Sequence, residues 1–261
     1  MPKEGNRAGT VAPPEPGSPG RSPLVRGLAS DHPAGHVIET HAHSTHQVIH
    51  AASGILRVTS ETAVWVVPPG RAIWMPAGRP HALYCHTEVA LRTVYLRAAP
   101  PGLGDACRVC SVSPLLREVL LRLAGDPAAA GNPHLQALLF EELAASEALP
   151  LTLPHPADPR LRRLTAALLA DPQDSRSLAA WAGVLGLSQR NLIRRFRAET
   201  GLTFREWRRQ ARLLAALERL GAGRPVTAVA FEVGYDSVSA FIAAFRETLG
   251  CTPGRYFPTG R

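Results

Sequence analysis

The 261-residue sequence predicts a multidomain fold: a mainly-β amino-terminal barrel, a helical connector, and an all-α carboxy-terminal domain containing a doubled helix-turn-helix. Three observations carry that prediction. Between residues 47 and 96, short apolar runs are separated by Gly and Pro turns, as in small antiparallel barrels. Between 113 and 149 the apolar period lengthens to about 3.6, the spacing of a helix face. Between 178 and 257 the chain repeats itself at an interval of about 49 residues, so that each copy is one supersecondary unit.

Residues 1–23 carry Pro13, Pro14, Pro16, Gly17, Pro19, Gly20 and Pro23 with no apolar stretch behind their charges, which predicts a disordered tail and not a secretory signal. No run approaches the length that spans a bilayer, so the expected location is the cytoplasm, with no membrane partner. The four Cys fit a reducing compartment. Cys107 and Cys110 lack the second pair that a zinc site would want, and ordinary thiols are the simpler reading. Residues 24–100 form the expected barrel, with strands over 47–52, 55–59, 63–67, 72–75 and 89–96. Trp65 and Trp74, at strand positions, are expected in the core or a pocket wall.

All ten His precede residue 160, and eight lie between His32 and His86. On a strand, His41 and His43 point to the same face because side chains alternate, and Gln47 keeps their parity. His81, arriving on a neighbouring strand after a turn at Pro76 to Gly78, completes a set of three nitrogens and one oxygen suited to a divalent transition metal. His46 and His50 have the opposite parity and are expected outside the barrel. For His36 and His86 the spacing leaves open whether they support the site or face solvent.

The two halves of this pattern, Gly35-x5-His41-Ala42-His43-x3-Gln47-x6-Gly54 and Gly70-x5-Pro76-Ala77-Gly78-x2-His81, resemble the paired motifs of the cupin superfamily. The resemblance implies a cupin-like barrel that binds a metal through two His and a Glu of the first motif and one His of the second. Gln47 stands where the acid usually sits, and Cys85 where the second motif usually has Asn. A neutral amide holds a cation less strongly than a carboxylate. Two readings therefore stay open: a weakened metal site at His41, His43, Gln47 and His81, or a barrel that has lost the ion and holds an organic ligand in the same pocket.

Over 101–155 a helical connector is expected. Leu115, Leu116, Val119, Leu120 and Leu123 make one apolar stripe, and Leu135, Leu138, Leu139 and Leu143 another. These helices either complete the core of the barrel or pair with the same helices of a second subunit. Pro150, Pro154, Pro156 and Pro159 predict a stiff, extended hinge before the last domain, 156–261.

Charge separates that last domain from the rest. Residues 160–261 hold 17 Arg, no Lys and 8 acidic residues, a net of +9, against a net of −1 for residues 1–159. A basic domain joined to a neutral one points to a polyanionic partner for that domain alone. The repeat says which kind. Aligning Gly186 with Gly234 sets Leu185 against Val233, and after one inserted residue sets Leu192 against Phe241 and Phe196-Arg197 against Phe245-Arg246. Each copy is a short apolar helix, a turn at Gly, and a polar-started helix that buries two large residues four apart, which is the grammar of a helix-turn-helix.

Together with Ser177-Leu178-Ala179-Ala180, Arg194-Arg195, Thr200-Gly201, Arg212-Leu213, Val229-Ala230, Tyr235, Ser239 and Thr252-Pro253, these residues resemble the AraC/XylS type of transcriptional regulator over about the last hundred positions. The resemblance implies two helix-turn-helix units joined by a long helix, here over 204–220. Ser188 is expected to cap the first recognition helix, with Gln189, Arg190 and Arg194 facing base edges and Arg195, Arg197 and Arg246 clamping phosphates. In the second unit Asp236 or Ser237 caps, and Val238, Ser239 and Ala243 take the exposed positions. Ala243-Ala244 stands where the first copy has Arg194-Arg195, so base reading should be lopsided toward the first unit, which leaves the second apolar contact with thymine methyls, phosphate anchoring through Arg246, or shape readout.

The expected function is a cytoplasmic, sequence-specific regulator of transcription that binds double-stranded promoter DNA. Its partners are a small-molecule effector or divalent metal on the first domain, a second copy of itself, and RNA polymerase. An enzyme, a metal-dependent oxygenase or isomerase with an appended DNA-binding domain, is the rival from another class; beyond the ligand candidates no acid–base pair is recognisable, and no catalytic residue is assigned. An architectural DNA binder with a purely structural barrel is the second rival.

Overall fold

Apolar side chains at alternate positions build two antiparallel sheets within residues 24–257, which the computed structural model describes. The tail expected over 1–23 lies outside the described residues. The strands are β1 (Val25–His32), β2 (Val37–His41), β3 (His46–Ser53), β4 (Leu56–Thr59), β5 (Ala63–Val67), β6 (Arg71–Met75), β7 (His81–Cys85), β8 (Val89–Leu96), β9 (Arg108–Ser111), β10 (Ala148–Leu149) and β11 (Thr152–Pro154). One sheet runs in the order β1-β8-β3-β6-β9-β10, the other β11-β5-β4-β7-β2. The five expected strands are all present as β3, β4, β5, β6 and β8. Those unforeseen have mixed polarity, as in β1, or are very short, as in β10 and β11, and long-range pairing decides them. Because β9 pairs with β6, β10 with β9 and β11 with β5, the two sheets continue to Pro154, past the expected bound at residue 100.

The connector helices are α1 (Pro114–Gly125) and α2 (Pro133–Ala145), each with a Pro at its start and a cap, Ser113 accepting from the Leu116 N–H and Asn132 from those of His134 and Leu135. Leu116, Val119, Leu120, Leu123, Leu139 and Leu143 are buried against Val48, Trp74, Val94 and Leu96, the outer face of the six-stranded sheet. Of the two open readings, core completion is thus what this apolar stripe does within the chain. Burying a Leu fully is worth about 1.5 to 3 kcal/mol. Leu115, expected on the same stripe, is 48% exposed.

The carboxy-terminal domain is α3 (Pro159–Ala170), α4 (Leu178–Val184), α5 (Gln189–Thr200), α6 (Phe204–Gly221), α7 (Val226–Glu232), α8 (Val238–Leu249) and α9 (Pro253–Tyr256). The 18 residues of α6 start in a capping box, Thr203 with Glu206, and span about 27 Å between the two units. Gly234 must be glycine on two counts: its φ is +84°, and a Cβ there would lie 2.8 Å from the Pro172 carbonyl oxygen. Leu192, Phe196, Trp207, Phe241 and Phe245 are buried and share one apolar core with the inner faces of the two sheets.

That shared core corrects the expected hinge. Leu151 and Leu153 are fully buried, β11 pairs with β5, and the His155 N–H donates to the Thr62 carbonyl at 2.7 Å, so the Pro-rich segment is a pinned strand. The β-domain grips α6. Trp207 Nε1 donates to the Pro154 carbonyl at 2.9 Å, Arg57 forks onto Glu218 at 2.8 and 2.6 Å, and His86 Nε2 lies 3.1 Å from the same carboxylate. Burial alone would raise the Glu218 pKa, but the hydrogen bonds from His86 and Arg57 outweigh it and hold the group below the usual carboxylate range. A Cβ on Gly221 would come 2.2 Å from Ile55 Cγ1, so the end of α6 lies directly against the turn between β3 and β4.

Candidate functional site

The histidine cluster forms where β2 meets β7. His41 and His81 are cross-strand partners beyond an irregularity in the pairing, which places their rings side by side with centroids 4.5 Å apart. His43 is not on the strand, as the parity argument had it. It sits in the following loop, pinned by the Gly78 N–H donating to its carbonyl at 2.8 Å, and still brings its ring to 4.8 Å from His41 and 5.8 Å from His81. The turn at Pro76 to Gly78 does deliver His81, with Gly78 at φ +73°. One ligand atom from each of the three His can be chosen so that all lie within 4.8 Å of one another.

The ring nitrogens are arranged as metal ligands need. His41 Nδ1 is 2.7 Å from the Glu39 carbonyl and His81 Nδ1 is 2.8 Å from that of Arg79, which fixes the proton on Nδ1 and leaves Nε2 as the free lone pair. The Nε2 atoms of His43 and His81 are buried without a hydrogen-bond partner among the described residues. Burial first, then the charges of His41, His81 and Arg26, lowers the His43 pKa to about 4; burial, opposed by the Arg79 carbonyl and aided by His41, lowers that of His81. Both rings are therefore neutral near pH 7, the state in which imidazole coordinates a cation. The residues fit a metal ion on chemical grounds.

Gln47, the fourth expected ligand, is buried on β3, and its Oε1 also lacks a partner. It pairs in register with Tyr95 on β8. Gln47, His41 and Tyr95 close the polar end of a chamber of about 220 Å³ whose walls are Leu28, Ile38 and Leu83. Sequence reasoning missed Tyr95, whose only signal was a strand position two residues from Thr93. It also left His36 open: His36 stacks on His32 at 4.5 Å, and both line the chamber. His86, left open likewise, belongs to the grip on α6. His50 points away from the chamber as expected, yet it is fully buried, with Nδ1 2.8 Å from the Arg71 carbonyl. Trp74 is fully buried against the connector helices, with His46 stacked on it at 5.1 Å.

Several His share the sign of the His43 shift: burial also lowers His32, His50 and His155. The folded chain keeps these rings neutral while the unfolded chain takes up protons near pH 6.5, so their contribution is complete above that pH and is lost as pH falls toward about 4. Glu218 and the other depressed carboxylates act only below their ordinary range. Thermal melts of the full chain should thus show Tm falling between pH 6.5 and 5, a window that belongs to histidine; a flat Tm there would contradict the burial of these rings.

The second site is the outward face of α5 and α8, the two expected recognition helices. Ser188 caps α5, accepting from the Asn191 N–H at 3.3 Å, and Ser237, not Asp236, caps α8 through the Ala240 N–H at 3.2 Å. Gln189, Arg190, Arg194 and Arg197 are exposed on α5, and Ser239, Ala243 and Arg246 on α8. The side chains of Arg190, Arg194 and Arg246 make no ion pair among the described residues, which leaves their donors available. Two expected residues are placed differently. Arg195 bridges at 2.9 Å to Asp158, the cap of α3, and ties the recognition helix to its scaffold; Val238 is half-buried against the core because it opens α8 beside Tyr235.

Comparison with known proteins matches both parts. A family model described as AraC-like ligand binding domain covers residues 25–144, and one described as Helix-turn-helix domain covers residues 181–258. The HTH-type transcriptional regulator NimR of Escherichia coli K12 is 37% identical over 220 residues, 83% of this chain and 81% of NimR. The HTH-type transcriptional regulator RipA of Corynebacterium glutamicum is 36% identical over 110 residues, 42% of this chain and 33% of RipA. Among solved structures, one of ToxT from Vibrio cholerae aligns at 13% identity over 91% of this chain and 100% of that one, with a TM-score of 0.40.

Proposed function

The chain belongs to the AraC-type transcriptional regulators, and on that premise we propose that it binds promoter DNA sequence-specifically and couples that binding to a small molecule in the β-domain chamber, beside a divalent transition metal held by His41, His43 and His81. The observation that carries the DNA half is the pair Arg190 and Arg194, four residues apart on α5, exposed and without acidic partners. Such a pair meets two successive base edges, and an Arg forks onto guanine O6 and N7 with about 1 to 3 kcal/mol of discrimination. The α8 face, with Ser239 and Ala243 outward, supplies shape and phosphate contact through Arg246. The chain acts in the cytoplasm as a homodimer that also touches RNA polymerase; Leu115 and the half-exposed apolar residues of α2 support the dimer.

The metal would orient an effector's oxygen or nitrogen head at the polar end of the chamber, and Leu28, Ile38 and Leu83 would take its apolar body. Coupling follows from linkage: an effector that prefers one arrangement of the β-domain shifts the population of DNA-competent chains by that preference. What supports a route for it is the grip of Arg57, His86 and Ile55 on α6, the spacer between the two reading heads.

The test is site selection from random duplexes with the full chain, followed by titration of Arg194→Ala against the selected and a scrambled duplex. Preference for the selected site should fall about 5- to 150-fold, with a far smaller loss on scrambled DNA. Equal loss on both would remove the base-reading role, and no enrichment over random sequence would remove the reading as a whole.

A further inference from the structure

On α5, two of the large apolar residues, Leu192 and Phe196, are fully buried, whereas Ile193 between them is 49% exposed. At 3.6 residues per turn Ile193 falls in line with Gln189 one turn before it and Arg197 one turn after, and it neighbours Arg190 three positions back. It therefore stands within the polar, outward face and not at the seam with the core. The internal repeat supplies a control. The position aligned with Ile193 in the second unit is Ile242, which is half-buried and packs on the shared core. Packing accounts for the isoleucine in the second copy and leaves the one in the first without an occupation in the free protein. An exposed isoleucine forgoes about 25 cal/mol for each Å² left in water, which is recovered only when something apolar covers it.

We infer that Ile193 reads the C5-methyl group of a thymine in the major groove, next to the guanine contacts of Arg190 and Arg194. This rests on the proposal that α5 is a DNA-reading helix. The chemistry is selective because the thymine methyl is the one apolar group on the major-groove edge of the standard bases, so an aliphatic side chain held among hydrogen-bond donors gains contact there and nowhere else. The site preferred by the first unit then combines guanine with a thymine at an adjacent step, and the second unit, whose Ile242 is turned inward, lacks this isoleucine contact.

Uracil scanning isolates this contact. In a duplex selected with the full chain, each thymine is replaced in turn by uracil, which deletes the methyl and preserves every base-edge hydrogen bond. For the wild-type chain, one or two positions should weaken binding by about fourfold, the worth of one buried methyl. Ile193→Ala should lose a similar factor on the thymine duplex and show no further loss when that thymine becomes uracil. Ile193→Val, which keeps part of the aliphatic surface, should fall between. A selected site whose uracil versions all bind the wild type equally overturns the inference, and so does an Ile193→Ala chain whose sensitivity to uracil equals that of the wild type. Both of those outcomes leave the DNA-reading proposal standing, whereas failure to enrich any site removes both.

Discussion

Raising salt from about 50 to about 200 mM should weaken the full chain's hold on its selected duplex by about 10³, the effect of releasing the counterions of roughly six phosphates. The charge that drives this is confined to one domain, net +9 for residues 160–261. Not all of it is available. Arg160, Arg176, Arg195, Arg209, Arg219 and Arg224 are paired with carboxylates, Arg208 and Arg212 donate to the carbonyls of Arg176 and Pro172, and these hold helices together. The exposed arginines of α5, α8 and the start of α6, with those of α3 and α9, are what remains to meet phosphate, and only some of them can reach one duplex at once, which is why the lower end of the range for such proteins is expected. Anisotropy titrations at four salt concentrations give the slope of log K against log salt, expected near about −5. A slope shallower than about −2 would mean that α5 and α8 do not lie along a duplex. The Arg246→Ala slope should be less steep by about one at unchanged site preference, since that residue positions and does not specify.

How much of this was legible beforehand depends on the range of the interaction. The recognition helices were, because their caps, apolar spacing and terminal glycines are local: Ser188, Leu192, Phe196 and Gly201 lie within fourteen positions and meet as the pattern requires. The histidine set was legible in composition and in the turn that delivers His81, but not in detail, since His43 reaches the cluster from a loop that strand parity does not describe. The contacts that weld the two domains were not legible at all. Arg57 and Glu218 are 161 residues apart, and each, read alone, is an ordinary surface charge. The same holds for β11. Four prolines suggested a hinge, but Leu151 and Leu153 alternate, and burial of that alternation against β5 outweighed the stiffness of the linker. Arg195 shows the same dependence on range: within a basic cluster it reads as a phosphate clamp, and its ion pair with Asp158, 37 residues back in the chain, has no local signal.

His81→Ala should abolish divalent-metal binding outright, whereas His50→Ala, the removal of an equally buried imidazole, should leave it intact. The two residues separate burial from ligation. Both are held by an Nδ1–carbonyl contact, but His81 offers a ligand atom that lies within 4.8 Å of one from His41 and one from His43, and His50 belongs to no such cluster among the described residues. Losing His81 removes the cross-strand partner of His41, so the two rings left, His41 and His43, make a poor site for an ion that takes four ligands. With Zn²⁺ at about 100 times its Kd, the wild-type chain should gain about 2.7 kcal/mol, a rise in Tm of roughly 5 to 10 °C. His50→Ala should start from a lower Tm, because a buried ring is lost, and still show that rise; His81→Ala should show none. Gln47→Glu supplies the opposite sign: with Gln47 as the proposed fourth ligand, a carboxylate there should tighten Zn²⁺ binding and cost stability in its absence, through a buried charge left without a partner. If instead all four chains melt at temperatures indifferent to Zn²⁺, Co²⁺ and Ni²⁺, the unpaired Nε2 atoms of His43 and His81 must be satisfied by the effector itself, and the chamber would belong to an organic hydrogen-bond donor with no ion between.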